Sequence, residues 1–429
     1  MGDQAPRFLH FSLSDLEGGA ARAAYRIHRA LLAVGCHSRM IVVRKRSDDP
    51  TIERVEPLPR WEARRRRVAR RLSLRRPLPV AATTFNYDLV QDFDKRSLLR
   101  HVGEVDIVFL HRITRLLTVR QIRTLYERYR RPMLWAVHDQ SNVTGGCHFS
   151  YDCEGYTQTC GRCPQLESAD PHDLTHTIWR RKRRDLTPIP LTFIASSSEA
   201  EGWVRESSLF AKHAVERIPV PIDGEIFRPL DRGVARATLK VPLDRKIVFV
   251  GAADLDAPRK GARYAVAALE RLQELRRQQD VFVLVAGAGG EGFLRKIRQP
   301  GLATARLPDD VDEAELALVF QAADVFLSPS IADAGPMMVA ESLLCGTPVV
   351  AFDLAFASDL LTSPDAGYRS AVGDVDGLAA GLASVLEANG GDRVARACRE
   401  AAAAFEAKRV AAAYVDLYGR LAREFSARS

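Results

Sequence analysis

The sequence predicts an α/β protein made of two doubly wound parallel-sheet domains, and three observations carry that prediction. Short apolar runs alternate with amphipathic helical stretches along most of the chain, as expected when strands are buried on both faces and helices cover them. Residues Asp324 to Asp353, DVFLSPSIADAGPMMVAESLLCGTPVVAFD, read as one complete strand–loop–helix–strand unit. The alternation occurs twice, on either side of the proline-stiffened segment Ile218 to Pro229. A length of 429 residues fits two or three domains. The expected boundaries are a first domain over 1–225 and a second over 226–405.

In chain order, Phe8 to Leu13 is the first expected strand, SDLEGG (14–19) a loop, and Ala20 to Val34 a helix. A glycine-rich turn between strand and helix lets a phosphate approach backbone N–H groups, although a glycine pair such as Gly18-Gly19 is also common in plain turns. Further strands are expected over Ile41 to Val43, Val105 to Leu110, Leu134 to Val137 and Leu191 to Ala195. His111 and His138 follow two of them, at carboxyl ends where such sheets bind ligands. The second domain opens with a strand over Lys246 to Val250, the loop GAADLDAPRKG and a helix from Ala262. Val281 to Ala286 is a strand and Glu313 to Ala322 a helix. In the unit that follows, Val325 to Leu327 and Val349 to Phe352 are buried strands. Pro336 opens the intervening helix, Gly346 stops it and Pro348 forbids its return. Two carboxylates, Asp333 in the loop and Glu341 in the helix, bracket the expected ligand position. Val375 to Val410 is helix-rich, and Ala411 to Phe425 is amphipathic.

Two segments stand apart from this alternation. Residues 145–165 hold Cys147, Cys153, Cys160 and Cys163, the last two as Cys-x-x-Cys. Four thiolates so close suit a structural tetrahedral zinc ion, with His148 as an alternative ligand. Four reduced thiols, disulfides in an oxidising compartment, or a redox Cys-x-x-Cys without its thioredoxin context are the other readings. Arg60 to Arg76, RWEARRRRVARRLSLRR, reads either as a basic amphipathic helix on an anionic membrane surface or as a solvated arginine-rich helix. Nucleic-acid contact is not expected, because neither aromatic interleaving nor zinc-finger spacing accompanies the charge.

The net charge of +8 favours anionic partners. No run of about 18 uncharged apolar residues suggests a membrane span, and MGDQAPRFLHFSLSD does not read as a secretory signal. The expected location is the cytoplasm, peripheral to the inner face of the cell membrane if the arginine-rich helix docks there. Gly-x-Gly-x-x-Gly with its downstream ribose acid does not occur in order at the first strand, which disfavours a nicotinamide dehydrogenase.

The context AGPMMVAESLLCGTPVVAFD, with acids at 333 and 341, resembles the donor-binding signature of glycosyltransferase family 4, the retaining group with the GT-B fold of two Rossmann-like domains. That signature has Glu at both positions, and this chain has Asp333 at the first. GGAARAAYRIHRALLAVGCHSRMIVV resembles the opening of these enzymes. WAVHDQSNVTGGCHFSYDCEGYTQTCGRCPQL resembles a segment of a bacterial polysaccharide-biosynthesis branch. The resemblance implies a retaining glycosyltransferase that moves a sugar from a UDP- or GDP-sugar to a glycan or polyprenyl-linked acceptor. It needs no metal for catalysis, and its final helix, 406–429, crosses back onto the first domain. It further implies that His138, Asp333 and Glu341 act at the reacting sugar and ribose. Gly18, Gly19, Arg259, Lys260, Gly335, Pro336 and Met337 would bind the donor. The family's arginine after Gly251 is Ala252 here, and its Asn-Gly at the crossover is Val220-Pro221. A non-catalytic protein of the same fold that binds a nucleotide sugar or glycan is the alternative; a turnover assay separates the two.

Overall fold

In the computed structural model the described residues are 5–55, 61–62, 64–65, 68, 102–275, 281–297, 302–309, 311–388 and 391–428. Most of the arginine-rich run Arg60 to Arg76 lies outside them. The chain divides into two compact units: Met1–Pro221 with Lys408–Ser429, and Ile222–Ala407.

Among the described residues, the first unit forms a seven-stranded parallel sheet. Its strands are β1 (Arg7–Ser14), β2 (His37–Arg44), β3 (Ile52–Arg54), β4 (Ile107–Leu110), β5 (Met133–Val137), β6 (Leu191–Ala195) and β7 (Ala214–Arg217), in the order β3-β2-β1-β4-β5-β6-β7. The order reverses between β1 and β4, so their carboxyl ends form the switch point where doubly wound sheets bind ligands. Every residue of β4, β5 and β6 is buried, which is why these strands read as continuous apolar runs. The last helix, Ala407–Arg428, presents Val410, Tyr414, Leu417 and Leu421 to a core built on Phe8, Ile27, Leu31, Ile107, Phe109 and Leu134. Steps of four, three and four residues keep those side chains on one helical face. Arg420 pairs bidentately with Glu216 at the end of β7, at 3.0 and 2.9 Å.

The second unit is a six-stranded parallel sheet. Its strands are β8 (Lys246–Asp254), β9 (Val281–Ala288), β10 (Ala303–Arg306), β11 (Val325–Ser328), β12 (Val349–Phe352) and β13 (Gly367–Ser370), in the order β10-β9-β8-β11-β12-β13. The switch point here lies between β8 and β11. Alternate residues feed two cores: Ile247, Phe249, Phe282 and Leu284 on one face, Val248, Val250, Val283 and Val285 on the other. The helix Glu313–Ala322 starts on a reciprocal pair, in which the Glu315 N–H donates to Asp312 at 2.8 Å and the Asp312 N–H to Glu315 at 3.1 Å.

The sequence missed the short edge strands β3, β7, β10 and β13. With three or four residues each and half-exposed patterns, they carry little apolar periodicity. Strands β8 and β9 also run past their expected ends, with a register shift between Gly251 and Asp254. Gly287, at φ +107°, makes that extension feasible, because a Cβ there would stand 1.7 Å from the Ala252 carbonyl oxygen.

Two stability measurements follow. Tyr414 is 1% exposed, and among the described residues its hydroxyl has no hydrogen-bond partner. Tyr414→Phe should therefore leave the midpoint of urea unfolding unchanged or raise it, whereas Tyr414→Ala should cost about 3–5 kcal/mol by emptying the core. His10, His28 and His111 are buried, and burial holds the pKa of His28 down at about 4 and those of His10 and His111 below the usual range. The unfolded chain takes up protons on these rings near pH 6.5 and the folded chain does not. Stability should therefore fall as pH drops from about 6.5 towards 4, with the first unit losing structure first by hydrogen exchange.

Candidate functional site

In the second unit, the loops after β8 and β11 meet at the switch point. Arg259 and Lys260 sit in a single 3-10 turn, Pro258–Lys260, closed by Gly261 at φ +70°. A Cβ on Gly261 would fall 1.8 Å from the Pro329 carbonyl oxygen, so only glycine lets one loop rest on the other. The Ile331 N–H donates to the Arg259 carbonyl at 2.8 Å and ties them again. Asp333 accepts from Arg259 Nη1 at 2.8 Å, from Lys260 Nζ at 2.6 Å and from the Gly335 N–H at 3.3 Å. Burial pushes this carboxyl up, but Lys260 and Arg259 outweigh it and hold the pKa at about 2.

The same loop leads into the helix Met337–Leu344, with Pro336 as its N-cap and Gly346, at φ +80°, just past its end. Gly335 lies against the Phe356 ring, where a Cβ would stand 2.4 Å away. Glu341 is 3% exposed in the middle of the helix. The sequence reading sent Asp333 and the two cations to different parts of a ligand; in the structure they pair with one another. Ala252, where an arginine was expected, is buried in the apolar cluster of Val250, Leu255 and Val285. Long cationic side chains from this loop come instead from Arg259 and Lys260.

In the first unit, Gly18 caps the helix Gly19–Ala33 at φ +86°, a conformation that favours glycine, while a Cβ on Gly19 would meet nothing within 4 Å. The loop before it is held by Asp15, a residue the sequence reading passed over. Asp15 is fully buried and accepts from the N–H groups of Leu16, Arg46 and Ser47 and from the Ser47 hydroxyl. Glu17 pairs with Arg44 and Arg46. Across the sheet, His111, Arg112, Thr114, His138 and Asp139 line a small pocket beyond the carboxyl ends of β4 and β5. His138 Nε2 lies 3.2 Å from His111 Nδ1. Asp139 accepts from the Ser141 N–H at 2.7 Å, and His148 Nε2 lies 3.4 Å from Asp139.

Lys182, on the helix Leu174–Asp185, was also missed. It is fully buried and donates to the carbonyls of Ser141, Asn142 and Thr144, the last two at 3.3 and 3.0 Å. It thereby fixes the backbone that follows His138. Within WRRKRRD nothing distinguishes an inward lysine from its solvated neighbours. Cys147, Cys153, Cys160 and Cys163 line one cavity as free thiols. The Gly145 N–H points at Cys160 Sγ at 3.1 Å. Burial pushes Cys163 up, Cys147 to about 12 and Cys160 to about 11. Among the described residues, no group of three or more His, Cys, Asp or Glu side chains is placed to hold a metal ion. The structure thus gathers the four expected ligands around one space without a coordination geometry.

Residues 244–388 match the family model described as glycosyl transferases group 1. The chain is 34% identical over 197 residues to a phosphatidyl-myo-inositol mannosyltransferase of Mycolicibacterium smegmatis, covering 45% of this chain and 48% of the relative. It is 32% identical over 211 residues to a D-inositol 3-phosphate glycosyltransferase of Catenulispora acidiphila, covering 46% and 49%. The chain thus spans about half the length of the curated relatives it matches. Solved structures align over nearly the whole chain. Sucrose-phosphate synthase from Thermosynechococcus elongatus aligns at TM-score 0.68 and 17% identity over 99% of this chain and 100% of that one. WaaG, a glycosyltransferase involved in lipopolysaccharide biosynthesis, aligns at 0.60 and 15% over 96% and 99%. Anabaena Alr3699/HepE in complex with UDP and glucose aligns at 0.63 and 15% over 97% and 100%. Among the described residues no helix is long and apolar enough to cross a membrane. The chain has the GT-B fold of two parallel-sheet α/β domains, and the part that matches the glycosyl transferases group 1 model lies in its second unit.

Proposed function

We propose that this protein is a retaining glycosyltransferase that binds a nucleotide sugar at the switch point of the second unit and transfers the sugar to a glycan or lipid-linked acceptor. The observation that carries the reading is the pairing of Arg259 and Lys260 with Asp333 at the carboxyl ends of β8 and β11, inside the segment that matches the family model. Two cationic side chains thus stand at the place where such a sheet binds phosphate-bearing ligands. A diphosphate there gains charge-assisted hydrogen bonds that strengthen as the leaving group takes up negative charge.

In this reading the bond between the sugar's anomeric carbon and the diphosphate oxygen breaks first. The ring becomes oxocarbenium-like, as in glycoside hydrolysis. The acceptor hydroxyl attacks from the face the diphosphate leaves, and its proton passes to a phosphate oxygen. Glu341 binds the ribose hydroxyls and Asp333 meets the donor sugar while steadying the cations; in the first unit, His138 contacts a sugar hydroxyl. The curated relatives are a mannosyltransferase and an inositol phosphate glycosyltransferase, and one structural neighbour is described with UDP and glucose. Both support a nucleotide-sugar donor and a polar or lipid-borne acceptor.

Three measurements test this. In a thermal-shift panel of nucleotides and nucleotide sugars, one nucleotide sugar should raise the Tm of the wild type, and Glu341→Ala should lose the effect. A panel in which no ligand stabilises the wild type would sink the donor site. Lys260→Ala should weaken nucleoside diphosphate binding by about 10- to 100-fold in calorimetry, the worth of one charge-assisted hydrogen bond; unchanged affinity would remove Lys260 from the phosphate site. Asp333→Asn should lower stability by about 2 kcal/mol at neutral pH, because it removes a carboxylate whose folded pKa lies below its unfolded one. In the wild type that contribution is present above about pH 4 and is lost as pH falls towards 2, so the gap between wild type and Asp333→Asn should close on acidification.

A further inference from the structure

We propose that His10 and His111 are positioning residues that hold His138 in a single tautomer, with its proton on Nδ1, so that His138 meets its ligand as an N–H donor. The proposal rests on the reading of His138 as a sugar contact and specifies the chemistry of that contact.

Three neighbouring strands build the arrangement. His10 lies in β1 opposite Phe109 of β4. His111 directly follows β4 and donates its backbone N–H to the Phe11 carbonyl at 2.9 Å. His138 directly follows β5. Their side chains form a continuous chain, with His10 Nδ1 2.9 Å from His111 Nε2 and His111 Nδ1 3.2 Å from His138 Nε2. Successive rings are inclined by only 14° and 19°, so the N–H bonds and lone pairs run along the chain. Phe109 stacks on His111 at 4.3 Å and fixes its plane.

A neutral imidazole offers one donor and one acceptor, so three in series have two consistent polarities. The inner end of the chain decides between them. His10 is fully buried, and among the described residues its Nε2 has no hydrogen-bond partner. If the chain donates inward, from His138 to His111 to His10, that nitrogen carries a buried N–H with no acceptor. Orphaned buried N–H groups are among the rarest features of native proteins, whereas an unused lone pair is more readily tolerated. The outward polarity is therefore preferred: His10 Nδ1–H donates to His111 Nε2, and His111 Nδ1–H donates to His138 Nε2. His138 keeps its proton on Nδ1 and has no spare lone pair.

Burial keeps the chain from taking a second proton. It lowers the pKa of His10 and His111 well below the usual range, each further by its histidine neighbours, and holds His138 at about 4 against the opposing pull of Asp139. A neutral ring that presents N–H suits an oxygen acceptor, either a sugar hydroxyl or a phosphate oxygen, and does not act as a base at that nitrogen.

The test is long-range proton–nitrogen correlation NMR of the full chain with labelled histidine at pH 7, with His138→Gln used to assign the His138 signals. In the wild type, Nδ1 of His138 should read as the protonated nitrogen and Nε2 as the bare one. His111→Phe, which keeps the ring and removes both nitrogens, should turn the His138 signals into a tautomer average. His111→Asn, whose amide N–H can take the place of Nδ1, should restore the single form. A wild-type His138 protonated on Nε2, or a His138 tautomer unchanged in His111→Phe, would overturn the proposal. Should His111→Phe fail to fold, His10→Phe probes the same chain, and the wild-type spectrum alone decides its polarity. With a donor in hand, His111→Phe should lower kcat by about 10-fold or more with donor KM nearly unchanged, and His111→Asn should recover part of the loss. Absence of turnover in the wild type would overturn the sugar contact while leaving the tautomer result intact.

Discussion

The contact between Asp333 and the pair Arg259–Lys260 sets the geometry on which the second unit's candidate site depends. The strands that lead into it are ordinary buried parallel strands, and their packing does not need those charges. The loops do. Gly261 allows the backbones to touch, Ile331 and Arg259 share a backbone hydrogen bond, and the carboxylate fixes where the two cations stand. A carboxylate this buried would ordinarily protonate to escape its desolvation cost; two cations within 3 Å reverse that and keep it ionised. The same cations would otherwise repel across a short turn. The cluster thereby fixes two cationic side chains at the carboxyl ends of β8 and β11.

The first unit reaches its candidate site by a different route. There a chain of histidine rings, His10, His111 and His138, reaches the carboxyl ends of β4 and β5, and desolvation keeps the rings neutral. Lys182 is charged. It is a fully buried cation whose charge is spread over three carbonyl oxygens. Such an interaction is costly unless all donors are satisfied. Here it ties down residues 141–144, between the histidine chain and the cysteine-lined cavity. Asp15 does the corresponding work at the Gly18-Gly19 loop by taking up three backbone N–H groups and a hydroxyl. In both places a buried ion orders the loop that follows a strand.

How far the sequence was legible follows from which of these features are local. Strands and helices with continuous apolar runs or clear caps were readable to within a few residues. Leu191–Ala195, Val349–Phe352 and Glu313–Ala322 coincide with their expected bounds. Short edge strands were not readable, because three half-exposed residues carry no period. The candidate residues at 259, 260, 333 and 341 were readable because a family resemblance marked them; their mutual pairing was not, since Lys260 and Asp333 stand 73 residues apart. His10 carried no signal at all. Its meaning comes from the pairing of β1 with β4 and of β4 with β5, which lines up three histidines from distant parts of the chain. Lys182 was hidden for the opposite reason, a basic run that looks solvated throughout.

Ala252 shows how a departure from a family pattern becomes intelligible once packing is known. At the end of β8 the strand continues instead of turning away, and it pairs with β9 as far as Asp254 and Ala288. Gly287 brings the β9 backbone against the Ala252 carbonyl, and the alanine methyl enters the apolar cluster. A long cationic side chain at 252 would have to leave that cluster and spoil the strand extension. Positive charge at this end of the sheet therefore has to come from farther along the loop, where Pro258 starts the turn and Gly261 ends it. The extended strand, the glycine at 287 and the cations at 259 and 260 thus act as one solution to a single constraint. For that reason Arg259 and Lys260 are better understood as a pair held by Asp333 than as one residue substituting for a missing arginine.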